Sequence, residues 1–300
     1  MSHFLEISQL SAQQINRLLQ RALSFKHEKL FPSFSGHHLA NLFYENSTRT
    51  RVSFELAANH LSIPVINLSL AASSENKGEL MEDTLANLAA MGIDLFVIRH
   101  RQEGTQQRLA DKFSNHGIHI INAGDGQHAH PSQAMLDLMT IVENKPNLPQ
   151  LKIAIVGNIR HSRVASSLQC LFKQMGVGEL TLVAPDIWLP ETVHYGRTTT
   201  SLRDGISHAD VVIGLRVQRE RLLETEHLDA KLYHDDYALT SATVQYAKPD
   251  VMIMHPGPVN RGVEMDSDVV DGPHSFILNQ VKNGVFMRAA IIESLLTSPP

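Results

Sequence analysis

Short apolar runs alternate along this chain with longer stretches in which apolar positions recur every three or four residues. In the first half the runs HLANLFYE (38–45), PVINLS (64–69), DLFVIRH (94–100) and IHIINAG (118–124) read as strands, separated by helical stretches near 50–61, 79–91, 105–116 and 131–145. Strands written as continuous apolar runs are buried on both faces, as in parallel sheets, and connections of this length allow right-handed crossovers. Ahead of them Ser11 opens a capping box with Gln14, and Ile15, Leu18, Leu19, Ala22 and Leu23 follow at helical spacing. Pro146 and Pro149 then interrupt the periodicity within the polar segment 144–150. A second series follows: LKIAIVG (151–157), ELTLVAP (179–185), VVIGLR (211–216) and VMIMHP (251–256), with a helix at about 162–176 closed by Gly176. After Pro273 the chain is mostly helical over about 275–297, with a weak point at Asn283-Gly284. The expectation is an α/β protein of two doubly wound parallel-sheet domains, 1–145 and 146–300. The active site is expected in the cleft between them, and the C-terminal helix is expected to pack back on the first domain.

Length agrees with two domains, since 300 residues is about twice a typical domain. The formal net charge of −5 provides no basic field to hold nucleic acid or an anionic membrane, although local anion sites remain open. Cys170 is the only cysteine, which excludes an intrachain disulfide and fits a reducing, cytoplasmic setting. No stretch approaches the roughly 20 apolar residues of a membrane span, and MSHFLEISQ lacks the apolar core of a signal peptide. Among 17 histidines, His128 and His130 could share one face of a strand. No Cys or carboxylate is spaced to complete a coordination shell, so no metal is expected.

Ligands of open α/β sheets bind beyond the carboxyl ends of the strands, and the residues there are strongly biased in type. The first strand leads to Ser47-Thr48-Arg49-Thr50-Arg51 at the start of a helix. Free N–H groups, the helix dipole and two guanidiniums suit a phosphate there, while a simple Ser or Thr cap beside solvated arginines is the competing reading. Lys77 and Gly78 lie in the polar loop after the second strand, Arg99-His100-Arg101 ends the third, and His130-Pro131-Ser132-Gln133 follows the fourth, with Pro131 as first helical residue. In the second half, Gly157 stands without the Gly-x-Gly-x-x-Gly spacing, which argues against a dinucleotide. Arg216 and Gln218 follow VVIGL, where guanidinium forks suit a small dicarboxylate, and Arg219-Glu220-Arg221 reads as a surface patch. No nucleophile elbow or Walker lysine loop is present, and Cys170 lies inside an apolar helical stretch, so covalent catalysis has no candidate.

Ser47-Thr48-Arg49-Thr50-Arg51, Lys77-Gly78-Glu79, His130-Pro131-Ser132-Gln133, Arg216-Val217-Gln218 and His255-Pro256-Gly257-Pro258, in this order over nearly the whole chain, resemble the aspartate/ornithine carbamoyltransferase family. Ser132 and the His-Pro-Gly-Pro run replace the Cys-containing motifs typical of ornithine-specific members. The resemblance implies transfer of the carbamoyl group of carbamoyl phosphate to L-aspartate, in pyrimidine biosynthesis, without metal or cofactor. It assigns Ser47, Thr48, Arg49, Thr50 and Arg99 to the phosphate and His130 with Thr50 to the carbamoyl oxygen. Gln133 is assigned to the carbamoyl nitrogen. Arg163, Arg216, Gln218 and Lys77 are assigned to the aspartate carboxylates, and Gly257 and Pro258 to backbone contacts. Arg99, His130, Thr50 and Lys77 are thereby the catalytic candidates. Ser73 and Lys77 come from a neighbouring subunit in this family, which implies a homotrimer. The Gly-Pro-Val-Asn-Arg-Gly form is typical of free trimers or of chains that associate with dihydroorotase, and a regulatory chain is a further possible partner. No role is carried over to Arg261.

Overall fold

The computed structural model describes residues 1–69, 80–217 and 228–297. Helix α1 (Ala12–Glu28) begins with the expected capping box and buries Ile15, Leu18, Leu19, Ala22 and Phe25. Leu23, read from the pattern as part of this stripe, is only half-buried, because Phe25 takes the next inward position. Then come β1 (Leu39–Phe43), α2 (Thr48–His60), β2 (Val65–Ser69), α3 (Met81–Ala90), β3 (Leu95–His100), α4 (Thr105–Lys112), β4 (His119–Asp125) and α5 (Pro131–Asn144). Among the described residues the first sheet has the order β2-β1-β3-β4, every pair parallel. Its core includes Leu42, Leu85, Phe96, Ile98, Leu109 and Ile120, all without exposed surface.

The second sheet uses β5 (Lys152–Val156), β6 (Glu179–Val183), β7 (Arg197–Thr199), β8 (Val211–Gly214) and β9 (Met252–Met254), parallel throughout in the order β7-β6-β5-β8-β9. Helices α6 (Arg163–Met175), α7 (Leu202–Ile206), α8 (Ala230–Tyr237), α9 (Ser267–Val270) and α10 (Ile277–Thr297) complete the described chain. Gly176 caps α6 in the left-handed region at φ 67°, as read from the pattern. The chain divides into two compact units, Met1–Met139 with the segment from Val281 onward, and Thr140–Gln280.

In the first unit α10 is tied to α1 by Arg21, whose Nε and Nη2 reach Glu293 at 2.6 and 2.7 Å, and by Lys26 Nζ donating to Asn283 at 2.8 Å. The weak point read at Asn283-Gly284 does not break α10. A Cβ on residue 284 would lie 2.4 Å from Nη1 of Arg288 and 3.2 Å from Cδ2 of Leu136, so glycine serves close packing there.

Candidate active site

Each sheet has a switch point, where the chain stops adding strands on one side and starts on the other. In the first sheet it lies between β1 and β3, and in the second between β5 and β8. Crevices open at the carboxyl ends of such strand pairs. The sequence-derived candidates that the structure describes lie at or just beyond the carboxyl ends of parallel strands within each unit, some at the switch points and others after β4 and β9.

In the first unit Ser47 occupies the N-cap position of α2 but makes no side-chain capping bond. Of the competing readings at this terminus, the simple cap is therefore not what Ser47 provides. Thr48 and Arg49 are exposed, whereas Thr50 is buried and accepts a bond from Ser53 Oγ at its carbonyl, 2.9 Å. Arg99, near the end of β3, sends Nε to Glu45 Oε2 at 3.3 Å and Nη1 to the carbonyl of Ala123 at 3.2 Å. One guanidinium thus joins the ends of β1, β3 and β4. After β4 the chain makes a turn through His128, so His128 and His130 do not sit on one strand face. His130 is buried just ahead of Pro131, and its carbonyl accepts from the N–H groups of Gln133 and Ala134 at 3.1 and 3.2 Å. Gln133 is buried and donates Nε2–H to Asp137 Oδ1 at 2.8 Å. Ser73 and Lys77 lie outside the described residues.

In the second unit Gly157 follows β5 with φ 132°, and a Cβ there would stand 2.9 Å from the carbonyl oxygen of Leu215. This glycine lets the ends of β5 and β8 close together, a packing reason unrelated to a dinucleotide. Arg163 is buried at the first position of α6, behind Ser162, whose Oγ accepts from the N–H of Ala165 at 3.2 Å. Arg216 is half-buried just after β8. The Arg216–Val217 segment is held by Glu264, which accepts from the N–H of Val217 at 3.5 Å and of Asn260 at 2.5 Å, and by Asn260 Nδ2 donating to the Val217 carbonyl at 3.3 Å. Glu264 also lies 3.4 Å from Nε2 of His255, both fully enclosed. The N–H of Gly257 donates to His255 Nδ1 at 2.8 Å, which places Gly257 and the exposed Pro258 at the end of β9. Arg261 is engaged bidentately by Asp271 at 2.7 and 2.8 Å. Gln218 and the segment Arg219-Glu220-Arg221 lie outside the described residues.

The sequence reading gave no role to Glu45, Asp137, Glu264 or Arg288. Asp137 and Arg288 carried a signal all the same: each is a lone charge inside an otherwise apolar helical run, AMLDLM and FMRAAII. Among the described residues no group of His, Cys, Asp and Glu could hold a metal ion, and no helix is long and apolar enough to cross a membrane.

These features define a two-unit α/β protein with hydroxyl and cationic donors at one switch point and guanidiniums at the other. Residues 2–143 match the family model for the aspartate/ornithine carbamoyltransferase carbamoyl-P binding domain, and residues 149–295 match that for the Asp/Orn binding domain. The chain belongs to the aspartate/ornithine carbamoyltransferase family and is a carbamoyltransferase. It is 63% identical over 99% of its length to the whole aspartate carbamoyltransferase catalytic subunit of Legionella pneumophila strain Corby. The Coxiella burnetii subunit of the same name is 44% identical, over 98% of this chain and 96% of the relative. Among solved structures, aspartate transcarbamoylase from Trypanosoma cruzi in complex with carbamoyl aspartate and phosphate aligns with a TM-score of 0.88 and 29% identity, covering 98% of this chain and 95% of that one.

Proposed function

We propose that this chain transfers the carbamoyl group of carbamoyl phosphate to the amino group of L-aspartate, giving N-carbamoyl-L-aspartate and phosphate for pyrimidine biosynthesis in the cytoplasm. The observation that carries the reading is the Arg99 guanidinium joining three strand ends at a switch point, beside a helix terminus that its own N-cap side chain leaves open. Ser47, Thr48, Arg49 and Thr50 take the phosphate at the N-terminus of α2, whose dipole favours an anion. Arg99 serves both phosphate and carbonyl, His130 and Thr50 polarise the carbamoyl oxygen, and Gln133 holds the carbamoyl nitrogen. Arg163, Arg216, Gln218 and Lys77 clamp the two carboxylates of aspartate, aided by the backbone at Gly257 and Pro258.

The aspartate amine attacks the carbonyl carbon, and negative charge collects on the carbamoyl oxygen among fixed donors. The bond from carbon to the phosphate oxygen then breaks, and the departing phosphate takes the proton released by the amine. This chemistry needs neither metal nor organic cofactor. Support for aspartate over ornithine comes from Ser132 and His255-Pro256-Gly257-Pro258 and from the names of the 63% and 44% identical relatives. With Ser73 and Lys77 supplied by a neighbouring copy, the working unit is a homotrimer.

The test is product formation from carbamoyl phosphate by the purified chain, with L-aspartate and L-ornithine in parallel. Carbamoyl aspartate alone is expected. Citrulline overturns the acceptor assignment, and no product from either, even with dihydroorotase added, overturns the activity.

A further inference from the structure

The carboxyl ends of β3 and β4 do not pair in step. Ile98 stands opposite Asn122 but His100 stands opposite Asp125, so β4 carries one residue more than β3 over this stretch, at Ala123-Gly124. A bulge of this kind releases backbone groups from the ladder, and where they are buried side chains must take them over. The N–H of Gly124 donates to Oδ1 of Asn122 at 2.7 Å. The carbonyls of Ile98 and Gly124 both accept from Nε2 of Gln106, at 3.2 and 3.1 Å. The carbonyl of Ala123 accepts from Nη1 of Arg99 at 3.2 Å.

Gln106 is the second residue of α4 and is 1% exposed. Its NH2 group has two hydrogens and meets two carbonyls, which fixes the sense of the amide, since the reverse would set Oε1 against two carbonyl oxygens. Ile98 precedes Arg99 and Gly124 follows Ala123. One amide therefore clasps the backbone on both sides of the contact between Arg99 and Ala123. Its Oε1 is buried and makes no hydrogen bond among the described residues, a cost that an apolar side chain of the same length avoids. What the glutamine contributes lies at its NH2 end.

We propose that Gln106 is a positioning residue for Arg99: by clasping the ends of β3 and β4 it aims the Ala123 carbonyl at the guanidinium and so fixes Arg99 against the carbamoyl donor. The inference rests on the assignment of Arg99 to the phosphate and carbonyl of that donor. Gln106 itself touches no substrate.

The experiment measures kcat, aspartate KM and the urea unfolding midpoint in Gln106→Met, Arg99→Ala and the Gln106→Met/Arg99→Ala double variant. Methionine keeps the length of the side chain and removes the donor. Misplacing a group that stabilises charge costs less than the roughly 10² to 10³ of deleting it, so Gln106→Met is expected to lower kcat about tenfold. Aspartate KM is expected to stay within about twofold, because Arg99 is not assigned to the acceptor. In the Arg99→Ala background the same substitution is expected to leave kcat unchanged while still lowering the urea midpoint. A kcat loss by the same factor in both backgrounds, or a parental kcat in folded Gln106→Met, makes Gln106 a structural residue only and overturns the inference, with Arg99 keeping its role. A parental kcat in Arg99→Ala removes Arg99 from the chemistry and the inference with it. Should Gln106→Met not fold, Gln106→Asn, which withdraws the NH2 by one carbon, is expected to show the same kcat loss confined to the Arg99 background. No loss there, or a loss indifferent to Arg99, is the overturning result.

Discussion

Helix α2 in the first unit and helix α6 in the second both start just beyond a strand that borders a switch point, yet their first turns are finished differently. At α6, Ser162 Oγ accepts from the N–H of Ala165 and Asn158 Oδ1 accepts from the N–H of His161, each at 3.2 Å. At α2, Ser47 makes no such bond. At the second terminus the N–H of Ala165 is thus taken by the N-cap side chain, whereas the Ser47 side chain makes no such cap at the first. The chemistry follows the difference. An open terminus offers several N–H groups to a tetrahedral oxyanion, which is how phosphates are held. A closed terminus leaves recognition to side chains, and the buried Arg163 with the half-buried Arg216 present planar forks that match carboxylates. One topology therefore finishes two helix entries differently, with a side-chain cap on α6 and none from Ser47 on α2.

The largest effect expected from breaking this arrangement is at His130. Loss of one donor to a developing oxyanion typically costs about 10² to 10³ in kcat, so His130→Ala is expected to lose turnover by that order. A turnover close to that of the parent enzyme in a stopped assay would remove His130 from the chemistry. Arg216→Ala comes next. A charged hydrogen bond of about 1.5–3 kcal/mol corresponds to a rise of roughly tenfold to a hundredfold in aspartate KM, with carbamoyl phosphate binding preserved. Unchanged aspartate saturation would mean that the second switch point does not take the acceptor.

The capping difference itself is tested by a pair of serine variants. Ser162→Ala removes a cap and is expected to cost about 1 kcal/mol of stability in urea denaturation. Ser47→Ala is expected to leave stability within about 0.5 kcal/mol, having no cap to lose, and to weaken phosphate inhibition instead. The comparison collapses if Ser47→Ala destabilises as much as Ser162→Ala.

Much of this was legible before any coordinates. The apolar runs marked eight of the nine described strands, because apolar residues dominate each of them and most of their positions are buried. The ninth, Arg197–Thr199, is a short polar edge strand whose three residues all keep some exposure, so hydrophobicity carried no trace of it. Gly284 misled for a related reason. Propensity charges glycine against a helix, but here the missing Cβ admits the Arg288 guanidinium, a tertiary fact with no local signature. Site residues announced themselves by type at strand ends, which is why Arg99, His130 and Arg216 could be singled out. Glu264 could not, because its work is to hold the backbone of segments distant in sequence through Val217 and Asn260.

The smallest effect sharpens the contrast at a neighbouring loop. The turn ahead of His130 is held by Glu6 Oε1, 2.8 Å from His128 Nε2, whereas the entry to α6 rests on the neutral Ser162 and Asn158. Donating a hydrogen bond to Glu6 raises His128 above its usual 6.5, with Asp125 and Glu103 adding to it, and accepting that bond lowers Glu6 below 4.5. A raised histidine contributes stability that is complete below 6.5 and is lost as pH climbs through its folded value. A lowered glutamate contributes stability present above 4.5 and lost as pH falls through its folded value. Both contributions therefore coexist between about 4.5 and 6.5, and the histidine part fades above that window. The side chains keep 46% and 29% of their surface, so screening limits the pair to less than about 1 kcal/mol. His128→Gln is accordingly expected to lower Tm by about 1–2 °C at pH 6 in low salt and by less at pH 8. One molar salt should shrink the pH 6 difference. A loss that is the same at both pH values would assign His128 a packing role, and the titrating tie at this loop would then be absent.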